Sequence, residues 1–209
     1  MKAESLIFDI DGTLWDSRAL VAKGYNEYLC ANGMEHLQVT AEDLAKLFGK
    51  TMAEIADSFL GELPVERRYD VMAQCMASED RVLHNDPCDI AYEGVVQTLE
   101  QLAKGHRLFI VSNSQCGYPE LVLEKLKLRH LFEGHLCFGN TGTCKGETMK
   151  LLMERYGITS AAYIGDTQGD LEACEMAGIP FVFCRYGFGQ PARYDAAIDS
   201  FSQLLDVFQ

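Results

Sequence analysis

The chain has 209 residues, 48% of them hydrophobic, which suits one α/β domain with a smaller insertion and excludes global disorder. Its formal net charge of −13 argues against nonspecific binding to nucleic acid or to an anionic membrane surface, although a local cationic site or a metal could still receive an anionic substrate. No apolar stretch approaches a membrane span, the first strand leaves no room for a signal peptide, and the eight cysteines include no C-x-x-C pair. Reduced, buried thiols in a cytoplasmic protein are therefore expected.

The first expected strand is the apolar run 6–8, and it ends in Asp9-Ile10-Asp11-Gly12-Thr13. Two carboxylates two residues apart at a strand end can meet at one small site. One can attack an electrophile while the other handles a proton, and both can hold a hard cation through oxygen. Gly12 permits a sharp turn, and Thr13 offers a hydroxyl to an anion. Asp and Gly are also common turn formers, so the string needs support from elsewhere in the chain. An EF-hand loop beginning at Asp9 is ruled out, because its twelfth position is Leu20 rather than an acid.

Residues 16–86 read as helical, with amphipathic stretches at 41–48, 52–60 and 65–83 and no convincing strand. Asp86-Pro87 marks a break. Beyond it, short apolar runs at 108–111, 136–138, 162–164 and 181–183 alternate with expected helices at 93–103, 119–127, 145–156 and 169–177. Continuous apolar strands alternating with helices predict a doubly wound parallel sheet with right-handed crossovers, whose ligands collect at the carboxyl ends of the strands. The expected organisation is a Rossmann-like α/β core of residues 1–15 and 87–209, with a small helical domain of residues 16–86 inserted after the first strand.

Three later segments answer the first motif. The run 108–111 leads into Ser112-Asn113, a hydroxyl and an amide that can cap a helix or bind a phosphate oxygen. Lys145 opens a helix, where the macrodipole mildly disfavours a cation. It calls for another reason to be there, such as neutralising carboxylates and phosphate oxygens. The preceding loop, Gly139 to Lys145, lacks P-loop spacing. The run 162–164 ends in Gly165-Asp166, and Asp170 follows one helical turn later. Each acid alone could be a helix cap, but caps do not explain polar strand ends gathering on one sheet edge.

Taken in order, D-x-D-G-T, the apolar strand with Ser-Asn, the lone Lys and G-D-x-x-x-D resemble the haloacid dehalogenase superfamily over essentially the whole chain. The string Asp11-Gly12-Thr13-Leu14-Trp15-Asp16-Ser17 is similar to the phosphoglycolate phosphatase branch, as is the helical insertion, which would be a cap. Trp15 departs from the small or aliphatic residue expected at its position. The resemblance implies that Asp9 is the nucleophile, forming an aspartyl-phosphate, and that Asp11 is the general acid and base. It implies Mg²⁺ held by a carboxylate oxygen of Asp9, the backbone carbonyl of Asp11 and Asp166, with Asp170 binding through water or supporting Lys145. Ser112 and Lys145 would stabilise the phosphoryl oxygens, with Thr13 and Asn113 in support. Asp11, which dehalogenases and phosphonate-cleaving relatives lack, favours phosphate ester cleavage.

In the cap, Gly49-Lys50 resembles the loop that reaches over the core site in related enzymes. Lys50 is a candidate for gripping the substrate away from its phosphate, and Arg18 a weaker one. The five histidines show no metal-ligand spacing. The expected activity is Mg²⁺-dependent hydrolysis of a small phosphorylated metabolite, phosphoglycolate-like or a sugar phosphate. The alternatives are a phosphosugar mutase and a noncatalytic binding protein that keeps the fold.

Overall fold

The computed structural model describes all residues, Met1–Gln209. Six strands form one parallel sheet: β1 Ser5–Phe8, β2 Arg107–Ser112, β3 Phe132–Cys137, β4 Ala161–Gly165, β5 Phe181–Cys184 and β6 Ala196–Ile198. Their spatial order is β3-β2-β1-β4-β5-β6. β1 lies between β2 and β4, pairing Phe8 with Ile110 on one side and with Ile164 on the other. The strand order therefore reverses direction at β1, and in a doubly wound sheet ligands bind outside the carboxyl ends at such a point.

In chain order the helices are α1 Arg18–Ala31, α2 Ala41–Ala45, α3 Met52–Phe59, α4 Val65–Asn85, α5 Val95–Leu102, α6 Tyr118–Lys125, α7 Phe138–Thr141, α8 Lys145–Tyr156, α9 Gln168–Ala177 and α10 Leu204–Val207. The chain divides into two units. The sheet unit is Met1–Asp16 with Ala91–Gln209, and the helical unit is Ser17–Ile90.

Both faces of the sheet are buried, which is why its strands read as unbroken apolar runs. Ile7, Phe109, Val111, Tyr163 and Phe181 pack on one face with Met149, Leu152, Leu171 and Cys174 of α8 and α9. The Tyr163 hydroxyl, inside this core, donates to the Val111 carbonyl at 2.9 Å. Phe8 points to the other face, with ring centroids 6.0 Å from Phe201 and 6.1 Å from Phe132.

The helical unit has a core of its own, formed by Val21, Tyr25, Leu29, Leu44, Ile55 and Met72 among others. α1 crosses α4 closely at Gly24, where a Cβ would come within 2.6 Å of the Glu79 Cα. α2 and α3 begin with Thr capping boxes, Thr40 with Asp43 and Thr51 with Glu54.

Several details differ from the sequence reading. β6 was unanticipated, being three residues at the sheet edge and partly exposed. α1 lies within the segment expected to be helical but outside its three named stretches; its buried set includes a mid-helix glycine, which weakens the periodic signal. The expected helix 41–48 stops at Ala45, and β3 starts at Phe132 while Phe138 belongs to α7. All eight cysteines are free, but Cys30, Cys88, Cys116 and Cys144 are exposed rather than buried. No helix is long and apolar enough to cross a membrane.

Candidate active site

Asp9 follows β1 directly, and its backbone N–H donates to the Ile164 carbonyl at 2.9 Å, so the sheet ladder holds it. After it the chain reverses. Thr13 and Leu14 N–H groups donate to the Ile10 carbonyl, and the Gly12 N–H donates to the Trp15 carbonyl. Gly12 has φ +82°, and a Cβ there would overlap the Asp166 carboxylate. Conformation and space both demand glycine at this turn.

Lys145, the first residue of α8, has Nζ 3.0 Å from Asp9 Oδ1 and 2.6 Å from Asp170 Oδ1. It is only 5% exposed. A cation in a helix's first turn is disfavoured by the dipole, and these two carboxylates supply the compensation. Burial alone would depress the lysine's affinity for its proton, but Asp170 and Asp9 hold it above the ordinary value.

Asp170 is fully engaged. Its Oδ2 accepts from the N–H groups of Asp166 and Thr167 and from the Thr167 hydroxyl, and its Oδ1 accepts from Lys145. Against the penalty of burial, Lys145 and Thr167 keep its carboxyl below the usual range. Asp170 therefore orients Lys145 and braces the turn after β4.

Asp166, at the end of β4, is fully buried. Its Oδ2 accepts from the Phe188 N–H at 2.6 Å, and its Oδ1 has no hydrogen-bond partner. Burial, then the charges of Asp170 and Asp9, push its carboxyl well above the usual range. Burial likewise raises Asp9, to about 7, with Lys145 opposing and Asp170 and Asp11 adding to the rise. Oxygens of Asp9, Asp166 and Asp170 lie within 4.8 Å of one another. Three carboxylates thus face one ammonium. An orphaned buried oxygen in an all-oxygen donor set fits a hard divalent cation such as Mg²⁺.

Ser112 ends β2, beside β1, and its hydroxyl accepts from the Ser114 N–H at 3.2 Å. Asn113 follows, half-buried. Thr13 turns inward: it is fully buried, beside the Cys184 thiol, with its carbonyl accepting from the Tyr186 hydroxyl at 2.9 Å. Asp11 is half-buried, and its Oδ1 accepts from Trp15 and Tyr118. Lys50 belongs to the helical unit, exposed in the turn before α3, where its N–H donates to the Leu47 carbonyl. Arg18 is half-buried at the start of α1.

The structure thus joins Asp9, Lys145, Asp166 and Asp170. The sequence reading missed Thr167, Tyr118 and the Phe188 N–H. Thr167-x-x-Asp170 is a capping-box spacing that could have been found, whereas nothing local marks Tyr118 or Phe188.

The sequence model of haloacid dehalogenase-like hydrolases matches residues 6–184. The chain belongs to this family. It is 27% identical over 218 residues to a phosphoglycolate phosphatase from Aliivibrio fischeri, an alignment covering 97% of this chain and 95% of that protein. A phosphoglycolate phosphatase from Photobacterium profundum is 28% identical over 222 residues, with 97% and 94% covered. Among solved structures, a haloacid dehalogenase-like hydrolase from Streptococcus pneumoniae shares the fold with a TM-score of 0.85 at 19% identity, covering 99% of each chain. Family membership makes the protein a hydrolase-type enzyme built on a Rossmann-like parallel sheet, and the phosphoglycolate phosphatase relatives support a phosphatase.

Proposed function

We propose that this haloacid dehalogenase-like phosphatase hydrolyses a small phosphorylated metabolite, phosphoglycolate or a sugar phosphate, through an aspartyl-phosphate on Asp9. The observation that carries the reading is the buried cluster in which Lys145 Nζ spans Asp9 and Asp170 beside the orphaned oxygen of Asp166. Asp9 attacks phosphorus and expels the alkoxide, to which Asp11 gives a proton. Asp11 then takes a proton from the water that attacks the acyl phosphate, releasing inorganic phosphate. Lys145 and Ser112 oppose the charge on the phosphoryl oxygens, where preorganised electrostatics contribute most. Asn113 supports Ser112 from the same strand end, and Thr13 supports through the turn that carries Asp11.

A carboxylate oxygen of Asp9, the backbone carbonyl of Asp11 and the carboxylate of Asp166 would hold Mg²⁺, with Asp170 serving the site through Lys145. When bound, the ion supplies positive charge that offsets the carboxylates and polarises the phosphoryl oxygens. The helical unit acts as a cap, and Lys50 selects substrate by its charge.

A screen of phosphorylated metabolites for phosphate release in the presence of Mg²⁺ tests the reading, with Asp9→Asn as control. Inorganic phosphate as product supports a phosphatase. An isomeric sugar phosphate as product would replace the reading with a mutase.

A further inference from the structure

Trp15 and Tyr118 take no part in the chemistry above, yet both touch Asp11. The Trp15 indole Nε1–H donates to Asp11 Oδ1 at 2.9 Å, and the Tyr118 hydroxyl donates to the same oxygen at 2.8 Å. Both side chains are buried, Trp15 completely. Their rings meet edge to face, with centroids 5.9 Å apart and planes at 75°. The Trp15 backbone is fixed by the Gly12 N–H and by a bridge to Ala91, and Tyr118 opens α6. Two rigid donors from separate segments therefore converge on one oxygen of one carboxyl group.

A carboxyl oxygen that accepts from two such donors cannot also carry the acid proton without displacing one of them. We propose that Trp15 and Tyr118 are positioning residues that lock the rotation of the Asp11 carboxyl and reserve Oδ1 as acceptor, so that Oδ2 is the oxygen that delivers and recovers the proton. The inference rests on Asp11 being the general acid and base. In the first transfer the bond from Asp9 to phosphorus forms and the ester P–O bond breaks. The Asp11 Oδ2 proton passes to the leaving oxygen. In the second, water adds to phosphorus, the Asp9–phosphorus bond breaks, and the water proton restores Oδ2–H. A general acid acts only within hydrogen-bond reach of the accepting atom, so a carboxyl free to rotate loses part of its effect.

The test uses kcat/KM for a series of aryl phosphates running from phenyl phosphate to dinitrophenyl phosphate, assayed with Mg²⁺. This ratio reports steps up to the first phosphoryl transfer. Phenoxide needs a proton as it leaves, and dinitrophenoxide does not. Tyr118→Phe keeps the buried ring and removes one donor; Trp15→Phe removes the other, at the cost of volume. We expect Tyr118→Phe to lower kcat/KM by about tenfold for phenyl phosphate and less than about threefold for dinitrophenyl phosphate, through kcat rather than KM. Asp11→Asn should show the same selectivity with larger losses. A merely structural role would depress both esters equally. If Asp11→Asn is selective but Tyr118→Phe loses equally on both esters, or on neither, the positioning role is overturned and the proposed function stands. If Asp11→Asn itself shows no selectivity, the acid–base reading fails and the positioning role fails with it. Should Trp15→Phe not fold, the outcome for Tyr118→Phe decides alone.

Discussion

In the sheet unit, Asp9, Lys145, Asp166 and Asp170 are buried together at one sheet edge, whereas the helical unit buries a single charged side chain, Glu79, and has an apolar core that includes Val21, Tyr25, Leu29, Leu44 and Ile55. Burying charge is costly unless it is paired, and here three carboxylates share one ammonium. Burying leucine, isoleucine and valine is favourable without further arrangement. The two regions therefore answer different demands. The sheet edge holds an arrangement that stability alone would not select, while the helical interior is what stability alone would select. Substitutions at the edge should damage chemistry and spare the fold. Substitutions in the helical interior should do the reverse.

The largest expected effect comes from Asp9→Asn. The amide keeps the shape but cannot form the acyl phosphate, so phosphate release should fall by at least about a thousandfold. Lys145 retains Asp170 as a partner, and one clustered carboxylate is gone, so the melting temperature should hold or rise. Near-normal turnover by the purified variant would end the assignment of the nucleophile, and a collapse in melting temperature would undo the contrast between the regions.

Metal removal should be nearly as severe. EDTA should eliminate phosphate release and Mg²⁺ should restore it, with Zn²⁺ a poor substitute because no His or Cys joins the cluster. Mg²⁺ should also raise the melting temperature of the metal-free protein by binding the native state. Asp166→Asn should lose that shift, and an undiminished shift in the variant would place the ion elsewhere.

For the helical interior, Leu29→Ala removes a side chain with no exposed surface. It should destabilise by roughly 2–5 kcal/mol in urea unfolding. Turnover of an aryl phosphate per folded molecule should stay near the parent value. A selective loss of turnover with unchanged stability would blur the contrast.

The smallest effect tests whether the helical unit is only a scaffold. Lys50→Ala should lower activity on the natural metabolite by about tenfold while changing aryl phosphate hydrolysis little, because an aryl ester offers no distal group to grip. Equal losses would assign Lys50 to general phosphate binding, and no loss would leave it a solvated surface charge.

Much of the sheet was legible because strands buried on both faces are written as uninterrupted apolar runs, as in β1, β2 and β4. β6 carried no such signal: Ala196 and Ala197 are half-buried at the edge and add little apolar contrast. α1 fell inside the expected helical segment but its bounds were not marked, because Gly24 weakens the local helical signal. The same glycine is what lets α1 approach the Glu79 backbone.

The sequence by itself determined which residues stand at the carboxyl ends of β1, β2 and β4, since periodicity and the motif strings are local properties. It also ordered the acids, the lysine and the serine along the chain. It could not decide how their charges pair. That Lys145 is shared by Asp9 and Asp170 follows from β1 lying next to β4 and from α8 starting beside their ends. The same holds for Asp11 and Tyr118, which meet across a separation of 107 residues. Parallel strands are joined by long crossovers, so neighbours at a strand edge are distant in the chain. Only the assembled sheet settles which oxygen faces which donor.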